Sequence, residues 1–359
     1  MMSLQTTEFF ATVFDEENTK MEYEVTTIPS SPQPEYRIAT LLAAIIMCTI
    51  SVIGLIGNSS VLFIILKYKE MQNITNYFIA NLAITDIAML TICAIPTLLF
   101  SNAVIPLTPI ICKTVQYMQF VAVQATCCTL TAMTIDRYYL IVHAVKSRQT
   151  RTTRKAVIIN INIWIGSFVV HLPAFILSDI KTDHCEMAFT GFKYYFLGLV
   201  LLMYVIPLAV ISACYANILV IVWRKTSAGT ESAQAHERSI RQKKKITRMV
   251  FLVILAFAVC WLPIHAYNLV NEFKPDQFRV TNVTVFMQVF ALSLSYSNSC
   301  INPFIYAFTT ATFKKHFKKV FSLKLVDSET SAGAKDDSVS GYRKIAKDEM
   351  SSMTCDTKV

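Results

Sequence analysis

The sequence is poor in charge. Asp, Glu, Lys and Arg make up 16% of its 359 residues, against about 25% in an average soluble domain. The deficit is concentrated: five of seven long apolar runs contain no Asp, Glu, Lys or Arg. No glycine-rich phosphate loop and no metal-spaced His/Cys cluster is present, which removes the usual grounds for an enzyme. No filter segment suggests a channel. No internal repeat with paired broken helices suggests a transporter, and seven spans do not divide into equal halves.

What the chain has is apolar length. Hydrophobic residues reach 54%, clumped into runs near Ile38–Leu66, Ile74–Phe100, Pro109–Ile135, Ala156–Ser178, Tyr194–Trp223, Met249–Asn271 and Val280–Phe308. Crossing a bilayer takes about 20 such residues. The expected fold is an all-α membrane protein, a seven-helix bundle over 38–311. Between the runs, bases collect on one side (Lys67, Lys69, Lys146, Arg148, Arg151, Arg154, Lys155, Lys243, Lys244, Lys245). That side is expected to be cytoplasmic, with the N-terminus outside. The net charge of +9 then points to the inner leaflet and to partners there, not to nucleic acid.

Residues 1–37 hold seven acids (Glu8, Asp15, Glu16, Glu17, Glu22, Glu24, Glu35) against Lys20 and Arg37, and are expected to form a disordered extracellular leader. They lack a basic start and an apolar core, so the first span is expected to act as an uncleaved anchor. Asn282 heads an external glycosylation sequon close to the bilayer. Of ten cysteines, Cys48, Cys93, Cys127, Cys128, Cys214, Cys260 and Cys300 fall in spans and Cys355 is cytoplasmic. Cys112 and Cys185 face the oxidising side, where a bridge is expected and two free thiols are the alternative.

Asp86 is the one acid deep within a span, and such a group is functional by default. Asn58, Thr126, Asn298, Ser299 and Asn302 sit at comparable depths. Together they offer oxygens suited to a hard cation such as sodium, or a hydrogen-bonded knot joining helices. Pro96, Pro173, Pro207, Pro263 and Pro303 occupy five different spans, permitting kinks. Trp261 lies two residues before Pro263, and Tyr306 three after Pro303.

These residues carry a resemblance. Gly57-Asn58, Asn81-Leu82-Ala83 through Asp86, Cys112, Asp136-Arg137-Tyr138, Trp164, Pro207 with Tyr215, Cys260-Trp261-Leu262-Pro263 and Asn302-Pro303 through Tyr306 follow in order. Between Ala39 and Phe321 the chain resembles the rhodopsin-like (class A) G-protein-coupled receptors. The resemblance implies that Asp136 pairs with Arg137 at rest. Activation would release Arg137 towards Tyr215 and Tyr306 as the sixth helix swings about Pro263, opening a cleft for a heterotrimeric G protein. The sixth helix has Lys243-Lys244-Lys245 where some members have a reinforcing acid, which implies activity without ligand.

Gln119 stands where amine receptors have an aspartate, and Tyr296 where opsins have the retinal lysine; neither chemistry is available. Gln119, Gln124, His265, Tyr267, Asn268, Gln288 and Tyr296 suit peptide amides, while Glu186 and Glu272 can pair with a ligand arginine. Val123–Cys127, Thr129–Met133 and Ser295–Ser299 look like the kisspeptin, galanin and allatostatin-A neuropeptide receptor branch, nearest the kisspeptin group. Tyr138-Tyr139 departs from that group at its second residue. The likeness implies an amidated peptide ligand, Gq, phospholipase C and calcium, with Gi coupling in the galanin-type alternative. It also implies a multi-pass protein of the plasma membrane. Phe313, Phe317 and Phe321 recur every four residues among lysines over 312–322, an amphipathic eighth helix for the inner-leaflet lipid. The tail 323–359, with Ser328, Thr330, Ser331, Ser338, Ser340, Ser351 and Ser352, is expected to be disordered and to meet receptor kinases and arrestin. Its end, Thr357-Lys358-Val359, looks like a PDZ-domain ligand. No cofactor is expected beyond an allosteric sodium ion.

Overall fold

A computed structural model describes residues 34–101, 104–143, 145, 147, 150–181, 184–187, 189–224, 233–274 and 282–326, excluding the side chains of 34–40, 100, 101, 181, 184, 186, 222–224, 233–244, 282 and 323–326. Residues 1–33 of the expected leader, most of the tail with its Ser/Thr sites, the C-terminal PDZ motif and the side chains of Lys243 and Lys244 lie outside the described residues; residues 34–37, expected to be part of the leader, begin the first helix instead. So does the Asn282 side chain.

Seven long helices follow one another. Helix α1 is Pro34–Lys67 and α2 is Ile74–Ala88, continuing through a π-helical turn at Met89–Ala94 into Ile95–Ser101. Helix α3 is Pro109–Val142, and α4 is Thr153–Val170 extended by Leu172–Leu177. A short antiparallel hairpin comes next, β1 (Asp179–Lys181) and β2 (His184–Glu186), with Ile180 opposite Cys185. Helix α5 runs Phe192–Val200, through a second π-helical turn at Leu201–Val205, to Ile206–Arg224; α6 is Ala233–Phe273 and α7 is Asn282–Thr309.

Local chemistry sets the starts. Asn73, Thr108 and Thr152 each stand in extended conformation before a helix and accept a bond from the backbone N–H three residues on, at 3.1, 3.4 and 3.2 Å. Their side-chain oxygens satisfy donors that a helix leaves open, and Pro109 supplies the preset φ of a first helical residue. Gly191, at φ +91°, turns the chain into α5; a Cβ there would be strained.

Among the described residues six helices are long and apolar enough to cross a membrane. Helix α7 spans 28 residues, about 42 Å at 1.5 Å per residue, and holds no Asp, Glu, Lys or Arg. Gln288, Ser295, Asn298, Ser299 and Asn302 are all on it, and all are buried. Its polarity faces the protein. Helix α3 is the axis of the bundle: 72% of its most apolar window is buried, against 22% in α1 and 17% in α4. The exposed faces of α1 (Leu42, Ile45, Ile46, Ile53) and α4 (Ile158, Ile161, Ile165, Val169) are apolar, as a lipid-facing surface requires.

Two corrections to the run boundaries matter. Asp136 and Arg137 are not at the edge of a helix, because α3 continues to Val142. Helix α6 begins at Ala233, well before the apolar run, since length in a helix costs little where side chains can stay wet.

Inside, side-chain amides tie helices together. The Trp164 indole donates to Asn81 Oδ1 (2.8 Å), and Asn81 Nδ2 donates to Thr129 Oγ1 (2.7 Å), joining α4, α2 and α3. Asn160 Nδ2 donates to the Tyr77 carbonyl (3.0 Å). Asn58 Nδ2 donates to the carbonyls of Gly54 (2.9 Å) and Ser299 (2.7 Å), pinning α1 to α7. Gly57 permits that approach, since a Cβ there would meet the Pro303 ring at 2.9 Å.

Helix α8, Ala311–Val326, is a separate unit. Phe313, Phe317 and Phe321 form one aromatic stripe along it, with centroids 6.2 Å apart at each step.

The α1–α7 contact is directly testable. Gly57→Val drives methyls into Pro303 and should cost about 1–3 kcal/mol, lowering the unfolding midpoint by several degrees in detergent. Gly166→Ala, whose Cβ would meet nothing within 4 Å, should not lower it.

Candidate functional site

The two ends of α3 differ in chemistry. At one end Cys112 and Cys185 form a disulfide, with Cα atoms 5.3 Å apart. It fastens β2 to the first turn of α3, and both cysteines are buried. Closing a loop across a sequence separation of 73 restricts the unfolded chain, worth about 4 kcal/mol in the entropic account.

Below the hairpin lie buried polar side chains whose atoms have no hydrogen-bond partner among the described residues. They include both amide atoms of Gln119 on α3, and both ring nitrogens of His265 and both amide atoms of Asn268 on α6. Gln288 and Tyr296 on α7 are buried, and Tyr296 lies beside Cys93 and Thr97 of α2. Tyr267 and Glu272 are partly exposed. Gln124 is engaged within α3, its Nε2 donating to Cys128 Sγ at 3.0 Å. Glu186 is in β2, its side chain outside the described residues. Buried polar atoms are almost always hydrogen-bonded, so these donors and acceptors on α3 and α6 call for partners beyond those the described residues supply.

Sequence reasoning missed two members of this set. Gln116 is fully buried with both amide atoms unpartnered, and His171, stacked on Phe120 at 5.8 Å, has both nitrogens unpartnered. Gln116 is one turn from Gln119, and His171 is an ionisable residue within a span; those two signals could have found them.

Deeper, an aromatic cluster joins α5 to α6. His265 stacks on Trp261 (5.7 Å, 28°), Trp261 lies against Phe257 (6.2 Å), and Tyr204 contacts both Phe257 and His265. Tyr204 sits in the π-helical turn of α5 and donates to the Ala258 carbonyl at 2.6 Å. The extra residue of a π turn rotates the rest of the helix by about 100°, a feature that spacing alone does not show. Pro263 lies inside α6 near this cluster, and Pro303 inside α7.

Around Asp86 the oxygens converge. Asn302 Nδ2 donates to Asp86 Oδ2 (2.8 Å), Ser299 is a second partner, and Thr126 Oγ1 donates to Thr85 Oγ1 (3.0 Å). The Asn298 and Asn302 side-chain oxygens have no donor among the described residues. A carboxyl group beside the uncommitted amide oxygens of Asn298 and Asn302 offers the hard oxygen ligands that a monovalent cation takes. The Asp86–Asn302 bond also joins α2 to α7, so the residues of the helix-joining knot and of the expected cation site are one set.

At the other end, Arg137 is 2% exposed and its Nη2 lies 3.1 Å from Asp136 Oδ2. The stronger partner of Asp136 is Arg151, whose Nε and Nη2 donate to the two carboxylate oxygens at 2.6 and 2.8 Å. The sequence reading counted Arg151 only as loop charge. Tyr215 donates to the Thr247 carbonyl of α6 (3.3 Å). Tyr306 is fully buried, and Tyr138 packs edge-on against His143 (5.6 Å).

The 7 transmembrane receptor (rhodopsin family) profile matches residues 57–306. Among curated proteins the chain is 36% identical to "G-protein coupled receptor 54" of Oreochromis niloticus over 299 residues, 78% of each chain. It is 33% identical to the "KiSS-1 receptor" of Mus musculus over 307 residues, 81% of this chain and 76% of that one. It is also 34% identical to the "Allatostatin-A receptor" of Bombyx mori over 288 residues, 76% of this chain and 77% of that one.

Replacing Cys112 and Cys185 by serine should lower thermal stability by about 4 kcal/mol or less. Unfolding measured with and without reductant checks it: the wild type should respond to reductant and the double variant should not.

Proposed function

The chain belongs to the rhodopsin family of seven-transmembrane receptors, G-protein-coupled and not enzymes, and we propose that its ligand is an extracellular, C-terminally amidated peptide of the kisspeptin type. The observation that supports this most is the pairing of a neutral, amide-rich polar surface with likeness to KiSS-1 receptors along three quarters of their length. Gln119 offers hydrogen bonds and no ammonium partner. Glu272, partly exposed on the last turn of α6, is placed for a ligand arginine, as Glu186 is by its backbone position. The hairpin end is extracellular and the Arg137 end cytoplasmic, in keeping with the side on which the bases gather.

In this reading Asp136, Arg137, Tyr138, Tyr215, Trp261, Pro263, Asn302, Pro303 and Tyr306 form the switch. Peptide binding against His265 and Trp261 biases α6, Arg137 leaves Asp136, and the opened end receives Gq. A ligand acts only through its preference for the open state. Kinases and arrestin would act on the tail, and a PDZ domain on Thr357–Val359. Likeness of 34% to an allatostatin-A receptor supports a second reading, a galanin- or allatostatin-type peptide with Gi coupling.

Calcium release and cyclic AMP, measured in transfected cells against amidated kisspeptin-like, galanin-like and allatostatin-like peptides, separate the two. Calcium confined to Arg-aromatic-amide peptides is expected; a fall in cyclic AMP to the other peptides alone would move the ligand assignment.

We also propose that Asp86, Thr126, Asn298, Ser299 and Asn302 hold a sodium ion in the resting receptor. Sodium, compared with an equal concentration of choline, should raise the thermal midpoint of the wild type. Asp86→Asn should abolish the difference, and a sodium response that survives in that variant would rule the site out.

A further inference from the structure

The Asp136 carboxylate is divided between two arginines, and unequally. Arg151 takes both oxygens in a fork at 2.6 and 2.8 Å, whereas Arg137 reaches one oxygen with one nitrogen at 3.1 Å. Two aligned, charge-assisted bonds outweigh one long contact. The oxygen that Arg137 reaches, Oδ2, is also the one that Arg151 Nη2 holds. Arg137 Nε has no hydrogen-bond partner among the described residues, although the side chain is almost fully buried.

Arg151 is not there by the chance of a long flexible side chain. The chain leaves α3 at His143 (φ −113°, ψ 51°), which turns it back. Backbone bonds run from Ser147 to the His143 carbonyl and from Arg151 to the Ser147 carbonyl. Thr152, the next residue, caps α4. Arg151 is therefore anchored on both sides, and its side chain is 20% exposed against 9% for Asp136.

We propose that Arg151 is a positioning residue that sets the activation threshold by drawing the Asp136 carboxylate away from Arg137. With Arg151 present, Arg137 is held by a partial contact and repelled by a like charge. Without it, both oxygens of Asp136 are free to serve Arg137, and the resting state gains. The inference rests on the receptor reading, and it runs against intuition: removing a salt bridge from the cytoplasmic end should quieten the protein.

Purified full-length receptor is assayed without peptide for nucleotide exchange on a Gq heterotrimer. Arg151→Gln should lower basal exchange about threefold, within the range of a partly exposed ion pair. Arg151→Lys, which keeps charge and loses the fork, should fall between. In an Asp136→Asn background Arg151→Gln should have no further effect, because the shared anion is gone. A rise in exchange with Arg151→Gln, or an equal drop in the Asp136→Asn background, overturns the proposal; the latter would mean that Arg151 touches the G protein itself. An environment-sensitive fluorophore at Lys245→Cys, an exposed position on α6, is read in the same samples. If no variant catalyses exchange, the Gq reading fails, yet the probe still decides: a shift towards the closed signal in Arg151→Gln supports the proposal, and an unchanged signal overturns it.

Discussion

A polar group in hydrocarbon can be satisfied only by the protein around it, and the interior of this bundle is arranged by that constraint. The side chains of Asn58, Asn81 and Asp86 each find partners on another helix. Each such bond fixes a register between two helices that apolar packing alone would leave loose, since lipid competes with leucine for leucine. The Asp86–Asn302 bond matters most among them. It couples α2 to α7, and α7 is in turn held to α1 by Asn58 and by the close approach at Gly57. Three helices are thus registered by three side chains, Asp86, Asn302 and Asn58, and one missing methyl.

On this frame the two ends of α3 are free to specialise. One is stapled by a disulfide and presents amide groups with nothing to bond to among the described residues. The other ends in a charge cluster whose members compete. Between them lie the aromatic contacts of Tyr204, Phe257, Trp261 and His265, packed where α5 carries its π turn. On the proposed function, this contiguous stack of rings beside an internal proline is where a bias would pass between the two ends, without any single residue spanning the distance.

Much of this was legible in the residues. Apolar runs located the spans, though not the inner end of α3 or the start of α6, and the separation of Cys112 and Cys185 from the other cysteines anticipated the bridge. The position of Asp86 among polar neighbours anticipated a convergence on it. What was not legible depended on three-dimensional return of the chain. Arg151 lies 15 positions from Asp136 and looks like any loop base until the turn at His143 brings it back. The π turns leave no periodicity in segments apolar on every side. Gln116 and His171 carried signals, one turn from Gln119 and an ionisable ring within a span, but that their polar atoms are buried without a partner among the described residues shows only in three dimensions.

The inward polarity of α7 has a consequence for how the molecule is made. Among the described residues six helices are long and apolar enough to span, whereas α7 carries asparagines and serines that bond to α1 and α2. Set alone in hydrocarbon, α7 would leave those groups unmet, and that cost falls away once its neighbours stand beside it. The seventh span is thus to its neighbours what a ligand is to a site, and the first helix, through Asn58 and Gly57, is part of the site that accepts it.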